Sequence, residues 1–212
     1  MRAQKTYAQT SGCAEAGVAP AKLYAQKHDP FMYFQDIRTN ANRTQKIVPF
    51  TQFATDIAGS TVPNFVWISP DQCHDMHGVS TVNATYLGIT GCDVDSKAIK
   101  LGDDFVKDTV GKIMASPAWK DASAIVIAWD EDDYAGYAGC CNSPTGADGG
   151  LLGGAKAPAL VITSKNPKAQ TSMDPYNHYS LLATIQHLWG LDCLANTCGM
   201  TGSALMTKLF LP

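Results

Sequence analysis

The sequence predicts an α/β fold, a mostly parallel sheet flanked by helices, on three observations. Short apolar runs rich in β-branched and aromatic residues occupy residues 64–69, 123–129 and 157–163. Between and after them, apolar residues recur at intervals of three and four, the spacing of a helix with one apolar face. The resulting order of strand, helix, strand, strand, helix implies parallel strands with helices on the sheet faces.

Residues 1–45 are polar and mixed, with an aromatic cluster at Phe31-Met32-Tyr33-Phe34. Pro30 stops any helix begun at 21–26. The run 64–69, closed by Pro70, reads as a buried strand. From Ser96, a candidate N-cap, the residues Phe105, Val106, Thr109, Val110, Ile113 and Met114 line one helix face, and Ser116-Pro117 ends it. The run 123–129 is apolar on both faces and reads as a central parallel strand leading into Asp130-Glu131-Asp132-Asp133. Residues 134–157 are rich in Gly, Ala, Ser and Asn without periodicity and read as a long surface loop. The run 157–163 is a further strand, with Pro158 tolerated at its start. A helix spans about His178 to Trp189, with Leu181, Leu182, Ile185, Leu188 and Trp189 on its apolar side and Gly190 as its stop. No internal repeat is present.

With 212 residues, 45% hydrophobic and 17% charged, the chain is long enough for a real core, and a single domain over 1–212 is expected. The net charge of -3 and the scattered Lys and Arg residues supply no basic field for nucleic acid. The longest apolar runs are strand-sized, so no transmembrane segment is expected.

Seven cysteines shape the expected compartment. Cys193 and Cys198 can close a short loop, and Cys73 and Cys92 can close another. The adjacent Cys140 and Cys141 need partners elsewhere, Cys13 being a candidate for one. No spacing gives a CxxC zinc pattern, so disulfides and a secreted or extracytoplasmic location are expected. The start Met1-Arg2-Ala3-Gln4-Lys5 has no apolar stretch, so an export signal is expected upstream of it.

In open α/β sheets, ligands bind at the carboxyl ends of strands. The first strand delivers Asp71, His74, Asp75 and His77 there, two carboxylates and two imidazoles in seven residues. Such oxygen and nitrogen donors suit a divalent metal ion, and equally suit a solvated polar turn. The second strand ends in Asp130-Glu131, where an acid on a partly desolvated rim calls for a cation, while Asp132 and Asp133 fit a solvated loop. His178, at a helix start after Asn177, reads as a metal ligand or a donor to an anionic substrate; alternatively Asn177 is a plain N-cap and His178 is exposed. His187 reads as a helix-surface or satisfied core residue, and His28 as a turn residue.

Seven blocks together resemble the phosphoesterase family of bacterial phospholipases C and acid phosphatases, in the alkaline-phosphatase-like superfamily. They are Tyr24 to Phe31 (YAQKHDPF), Ile47 to Phe50 (IVPF), Phe65 to Asp71 (FVWISPD), His74 to His77 (HDMH), Ser116 to Lys120 (SPAWK), Ile125 to Glu131 (IVIAWDE) and Tyr176 to Ile185 (YNHYSLLATI). The family carries Asn where this chain has Asp29 and Asp71, and Gly soon after the acidic pair. The resemblance implies an alkaline-phosphatase-like fold and metal-assisted attack on a phosphorus ester. It implies Asp130 and Glu131 as ligands of a divalent ion or their close neighbours, His74 and His77 as ligands or phosphate-contacting groups, His178 as a third imidazole at the site and His28 as a phosphate-side group. His74, His77 and His178 are thus the catalytic candidates; Asp71 and Asp75 are metal-side candidates on the donors of their own turn, and Asn177 is a substrate-side candidate beside His178. In that family the nucleophilic Ser or Thr lies before the YxxKH block, so none is assigned here. The expected substrate is a small phosphate ester or a phospholipid. The competing reading is a non-catalytic secreted binding or structural module that keeps the scaffold and self-associates through exposed sheet edges.

Overall fold

A computed structural model describes residues 4–8, 23–59, 62–86, 88–93, 95–120, 122–131, 156–165 and 169–210. The chain forms two compact units, Met1–Trp119 and Lys120–Pro212, taken here in turn. Cys13, Cys140, Cys141, Asp132, Asp133 and most of the loop at 134–157 lie outside the described residues.

In the first unit, β1 (Gln4–Ala8) is the middle strand of a parallel sheet ordered β2-β1-β3. Two one-turn helices, α1 (Gln35–Arg38) and α2 (Ala41–Thr44), precede β2 (Ile47–Pro49). The helix α3 (Phe53–Ala58) leads to β3 (Phe65–Ser69), and α4 (Thr81–Tyr86) and α5 (Asp95–Ala115) follow. Thr6 pairs with Ile47 on one side and Trp67 on the other. The polar β1 segment, Gln4-Lys5-Thr6-Tyr7-Ala8, carries no apolar run and gives no strand signal.

The core of this unit is Phe53 and Ile57 of α3, packed by Val48, Phe50, Val66, Ile68 and Ile113. Val66 and Ile68 thus form one face of β3, as period-two alternation requires. Trp67, expected to be buried, is 39% exposed and meets the Phe31 ring edge-on at 6.0 Å on the other face. A second cluster unites Leu23 with the bonded pair Cys73–Cys92, against Val79, Ile89 and Leu101.

The helix α5 matches expectation closely, although Ser96 lies inside it and Met114 is exposed. Its most buried positions include Thr109, expected on that face, and the small residues Ala98 and Gly102, which an apolar-residue count misses.

In the second unit, β4 (Ala124–Ala128) pairs with β5 (Ala159–Thr163) in the antiparallel sense, Val126 opposite Val161. The expected central parallel strand is therefore corrected. An apolar run does not report strand direction, so by itself it leaves parallel and antiparallel pairing open. Nor is β4 buried on both faces: Ala124 and Ala128 are exposed and the residues between them half-buried.

The helix α6 (His178–Trp189) begins at a reciprocal cap between Asn177 and Ser180 and ends at Gly190 in the left-handed region, φ 61°. Its buried face holds Ser180, Ala183, Thr184 and Gln186, while Leu182, expected inside, is 41% exposed. Thr184 Oγ1 donates to Ser180 O and accepts from Met206 N–H, each at 2.7 Å, tying α6 to the segment before α7 (Thr207–Phe210). The expected disulfide Cys193–Cys198 closes the turn after α6. Among the described residues no helix is long and apolar enough to cross a membrane.

Candidate active site

The carboxyl end of β3 organises the first group of site residues. Ser69 is buried, and its hydroxyl donates to His28 O at 2.9 Å, which brings the segment carrying His28 to the strand end. Asp29 caps the turn that follows by accepting from Phe31 N–H, and burial holds its carboxyl above the ordinary range. Beyond Pro70 the chain turns on Asp71. Its Oδ1 accepts the N–H groups of Cys73 and His74, each at 3.1 Å, and lies 2.7 Å from His74 Nδ1.

The Asp71 contact decides the chemistry available to His74. A carboxylate only accepts, so Nδ1 carries the proton and Nε2 is left for a phosphoryl oxygen or a proton. The hydrogen bond to Asp71 raises the His74 pKa above the ordinary imidazole value, against the opposing effect of burial. The ring rests 5.5 Å from that of Phe105 on α5.

Asp75 lies beside this pair. Its Oδ1 accepts His77 N–H at 2.8 Å. Its Oδ2 is buried without a hydrogen-bond partner among the described residues, in ion-pair range of His28 Nδ1 at 3.2 Å. Burial is the main cause that raises the Asp75 pKa, with the His77 N–H and His28 opposing it. His77 itself is exposed.

In the second unit the acidic pair follows β4. Asp130 and Glu131 are both exposed, and Glu131 N–H turns back to Asp130 Oδ1 at 3.1 Å. His178 Nε2 lies 2.8 Å from the backbone carbonyl of Asp130. A carbonyl accepts, so Nε2 carries a proton there. The Asn177 side chain serves the helix cap, accepting Ser180 N–H at 3.1 Å. Just upstream, Asp174 gathers Ser172, Tyr176 and Lys208, and the Lys208 contact, the largest cause, brings its pKa down to about 2.

The structure thus assembles His28, Asp71, His74 and Asp75 in one unit, and Asp130 with His178 in the other. Sequence reading missed Ser69 and Phe105 as supports. A polar residue at a strand end and an aromatic on the inner helix stripe were the available signals. Asp174, expected where the loop after the third strand leads, pairs with Lys208.

The donors were also expected to hold a divalent ion. Among the described residues no three His, Cys, Asp or Glu side chains are grouped to do so. Asp71 Oδ1 already serves three donors, and Asp130 and Glu131 stand exposed as a pair. The described donors alone do not fit a metal cage, which needs more oxygen or nitrogen ligands than either pair brings.

The profile of the Phosphoesterase family matches residues 3–192. The chain belongs to the Phosphoesterase family. An acid phosphatase of Aspergillus fumigatus is 24% identical over 177 residues, covering 83% of this chain and 33% of that protein. A phosphate-repressible acid phosphatase of Penicillium chrysogenum is 26% identical over 183 residues, 84% of this chain and 37% of the relative. An acid phosphatase of Aspergillus niger is 26% identical over 180 residues, with 84% and 36% covered. This phosphoesterase-family chain spans about a third of the length of the curated relatives it matches. The family match runs through both units, from β1 to the turn after α6.

Proposed function

We propose that this chain is the acid- and imidazole-bearing part of a hydrolase of phosphoric esters, with phosphate monoesters as the preferred class. The observation that carries the reading is the Asp71-oriented imidazole of His74 at the carboxyl end of a parallel strand. An imidazole with Nδ1 held by a carboxylate presents Nε2 in a defined direction, which is what donation to a phosphoryl or leaving-group oxygen requires. The Asp71 hydrogen bond raises its pKa, which favours the protonated, donating form to higher pH, and relatives named acid phosphatase lend support to monoester hydrolysis.

His28 and Asp75 stand as the neighbouring pair that tunes local charge. His77, read as a catalytic imidazole, and Asn177, read as a substrate-side group, keep those readings as candidates, and Asp130, Glu131 and His178 form a second set of donors. An alkaline-phosphatase-like scaffold belongs to the same reading, as does a divalent ion recruited with donors beyond those described. The two disulfides support an oxidising, extracytoplasmic location. The nucleophile is unassigned.

The test is hydrolysis of p-nitrophenyl phosphate and bis(p-nitrophenyl) phosphate near pH 5 by the wild-type chain and by His74→Ala, with added divalent metals or with EDTA. Binding of inorganic phosphate is measured alongside. Turnover or phosphate binding that His74→Ala removes supports the reading. Neither turnover nor binding by the wild type, in any metal, sinks it in favour of a non-catalytic module that self-associates through the outer strands β2 and β3, which sedimentation would then reveal.

A further inference from the structure

We propose that Gly102 of α5 is a positioning residue for the His74 imidazole, acting through the side chain of Met76; its meaning for catalysis rests on the role given to His74 above. A Cβ added at Gly102 would lie 2.4 Å from Met76 Cγ, 2.7 Å from Met76 Cε and 3.1 Å from His74 O. The first two separations are far inside van der Waals contact, so the side chain of Met76 occupies the space that any other residue at 102 would need. Met76 also has φ 74°, in the left-handed region that a residue with a Cβ adopts only when its surroundings hold it there.

The holding contacts are specific. Three residues along the same helix, Phe105 supplies the ring against which His74 rests, so one stripe of α5 offers a gap for Met76 and a surface for His74. On the other side the loop is closed by Gly78 N–H to Gln72 O at 2.6 Å and by the Cys73–Cys92 bond.

Glycine here works against helix propensity, since alanine is the better helix former at an interior position. The same helix contains its control: a Cβ at Gly111 would meet nothing within 4 Å. Gly111→Ala should therefore be harmless, whereas Gly102→Ala should not.

The experiment uses the full chain. It records amide hydrogen exchange at Cys73 and His74, whose N–H groups are held by Asp71 Oδ1, together with p-nitrophenyl phosphate turnover. Gly102→Ala is expected to speed exchange at both amides by about tenfold or more, as overpacking of a tight contact does. It should also lower kcat by up to about 100-fold with KM little changed. Adding Met76→Ala to Gly102→Ala should restore both readouts, and Gly111→Ala should leave both at the wild-type level.

Unchanged exchange in Gly102→Ala, or no restoration by Met76→Ala, overturns the proposal whatever the activity. If Gly102→Ala does not fold, folding of the double variant supports the Met76 seat, and failure of the double variant overturns it. Exchange that changes and is restored while turnover never moves leaves the seat standing and removes His74 from the reaction instead.

Discussion

Asp71 Oδ1 lies 2.7 Å from His74 Nδ1 while also accepting the N–H groups of Cys73 and His74, so one carboxylate oxygen builds the turn and orients its imidazole. Asp71 is nearly inaccessible to solvent, at 2% exposure, which makes these contacts costly to lose.

The His74 shift has a definite sign in stability. Its folded pKa is raised, so the contact stabilises the fold fully below the unfolded imidazole value of about 6.5 and is lost as pH rises through the folded value. Urea unfolding of wild type against His74→Gln should show the wild-type advantage shrinking between about pH 6 and pH 8, within the imidazole range. A gap that widens with pH across that window contradicts the geometry.

Asp75 works in the opposite direction. Burial raises its pKa, so the ionised carboxyl costs the fold stability above the ordinary aspartate range, and the cost vanishes as pH falls and the proton is retained. Asp75→Asn keeps an acceptor for His77 N–H and should stabilise the chain by about 1 kcal/mol at pH 7. That gain should disappear near pH 3–4, where the wild-type acid is protonated. Calorimetry at the two pH values checks it.

The two disulfides should differ in worth. Cys73–Cys92 closes a loop of sequence separation 19 and Cys193–Cys198 one of 5. Replacing the first pair by Ala should cost about 3 kcal/mol and the second pair less, because a longer closed loop restrains the unfolded chain more. Losing the first bond also loosens position 73 beside Asp71, so phosphate binding should weaken in that variant alone. Equal losses in chemical denaturation would contradict this order.

Thr184 is fully buried, and its hydroxyl links Ser180 O to Met206 N–H. Thr184→Val keeps the volume but leaves the Met206 N–H without its acceptor. A loss of about 1–3 kcal/mol is expected, read as a lower midpoint in thermal unfolding. Thr184→Ser, which keeps the hydroxyl, should recover most of it.

Much of this was legible in the chain. The α6 bounds follow from the cap at Asn177 and the stop at Gly190, and α5 from spacing at three and four, because capping and periodicity are local. Cysteine spacing offered Cys73–Cys92 and Cys193–Cys198 as loops that can close, and the structure closes both. β1 was not legible, since its sequence is polar, and the face that α6 buries was misjudged. That face holds Ser180, Thr184 and Gln186; Thr184 Oγ1 accepts from Met206 N–H and Gln186 Nε2 donates to Asp192 O, partners that only the folded chain supplies.

By itself the sequence determined that strand ends carry the acids and imidazoles, and that the chain belongs with phosphoesterases, because motif and period are properties of neighbours along the chain. Only the tertiary structure decided that β4 runs antiparallel to β5 and that His28 meets Asp75. It also decided that Asp71 serves His74 and that Met76 fills the space over Gly102. Each depends on residues brought together by packing, and neither burial nor a hydrogen-bond partner is written in the order of residues.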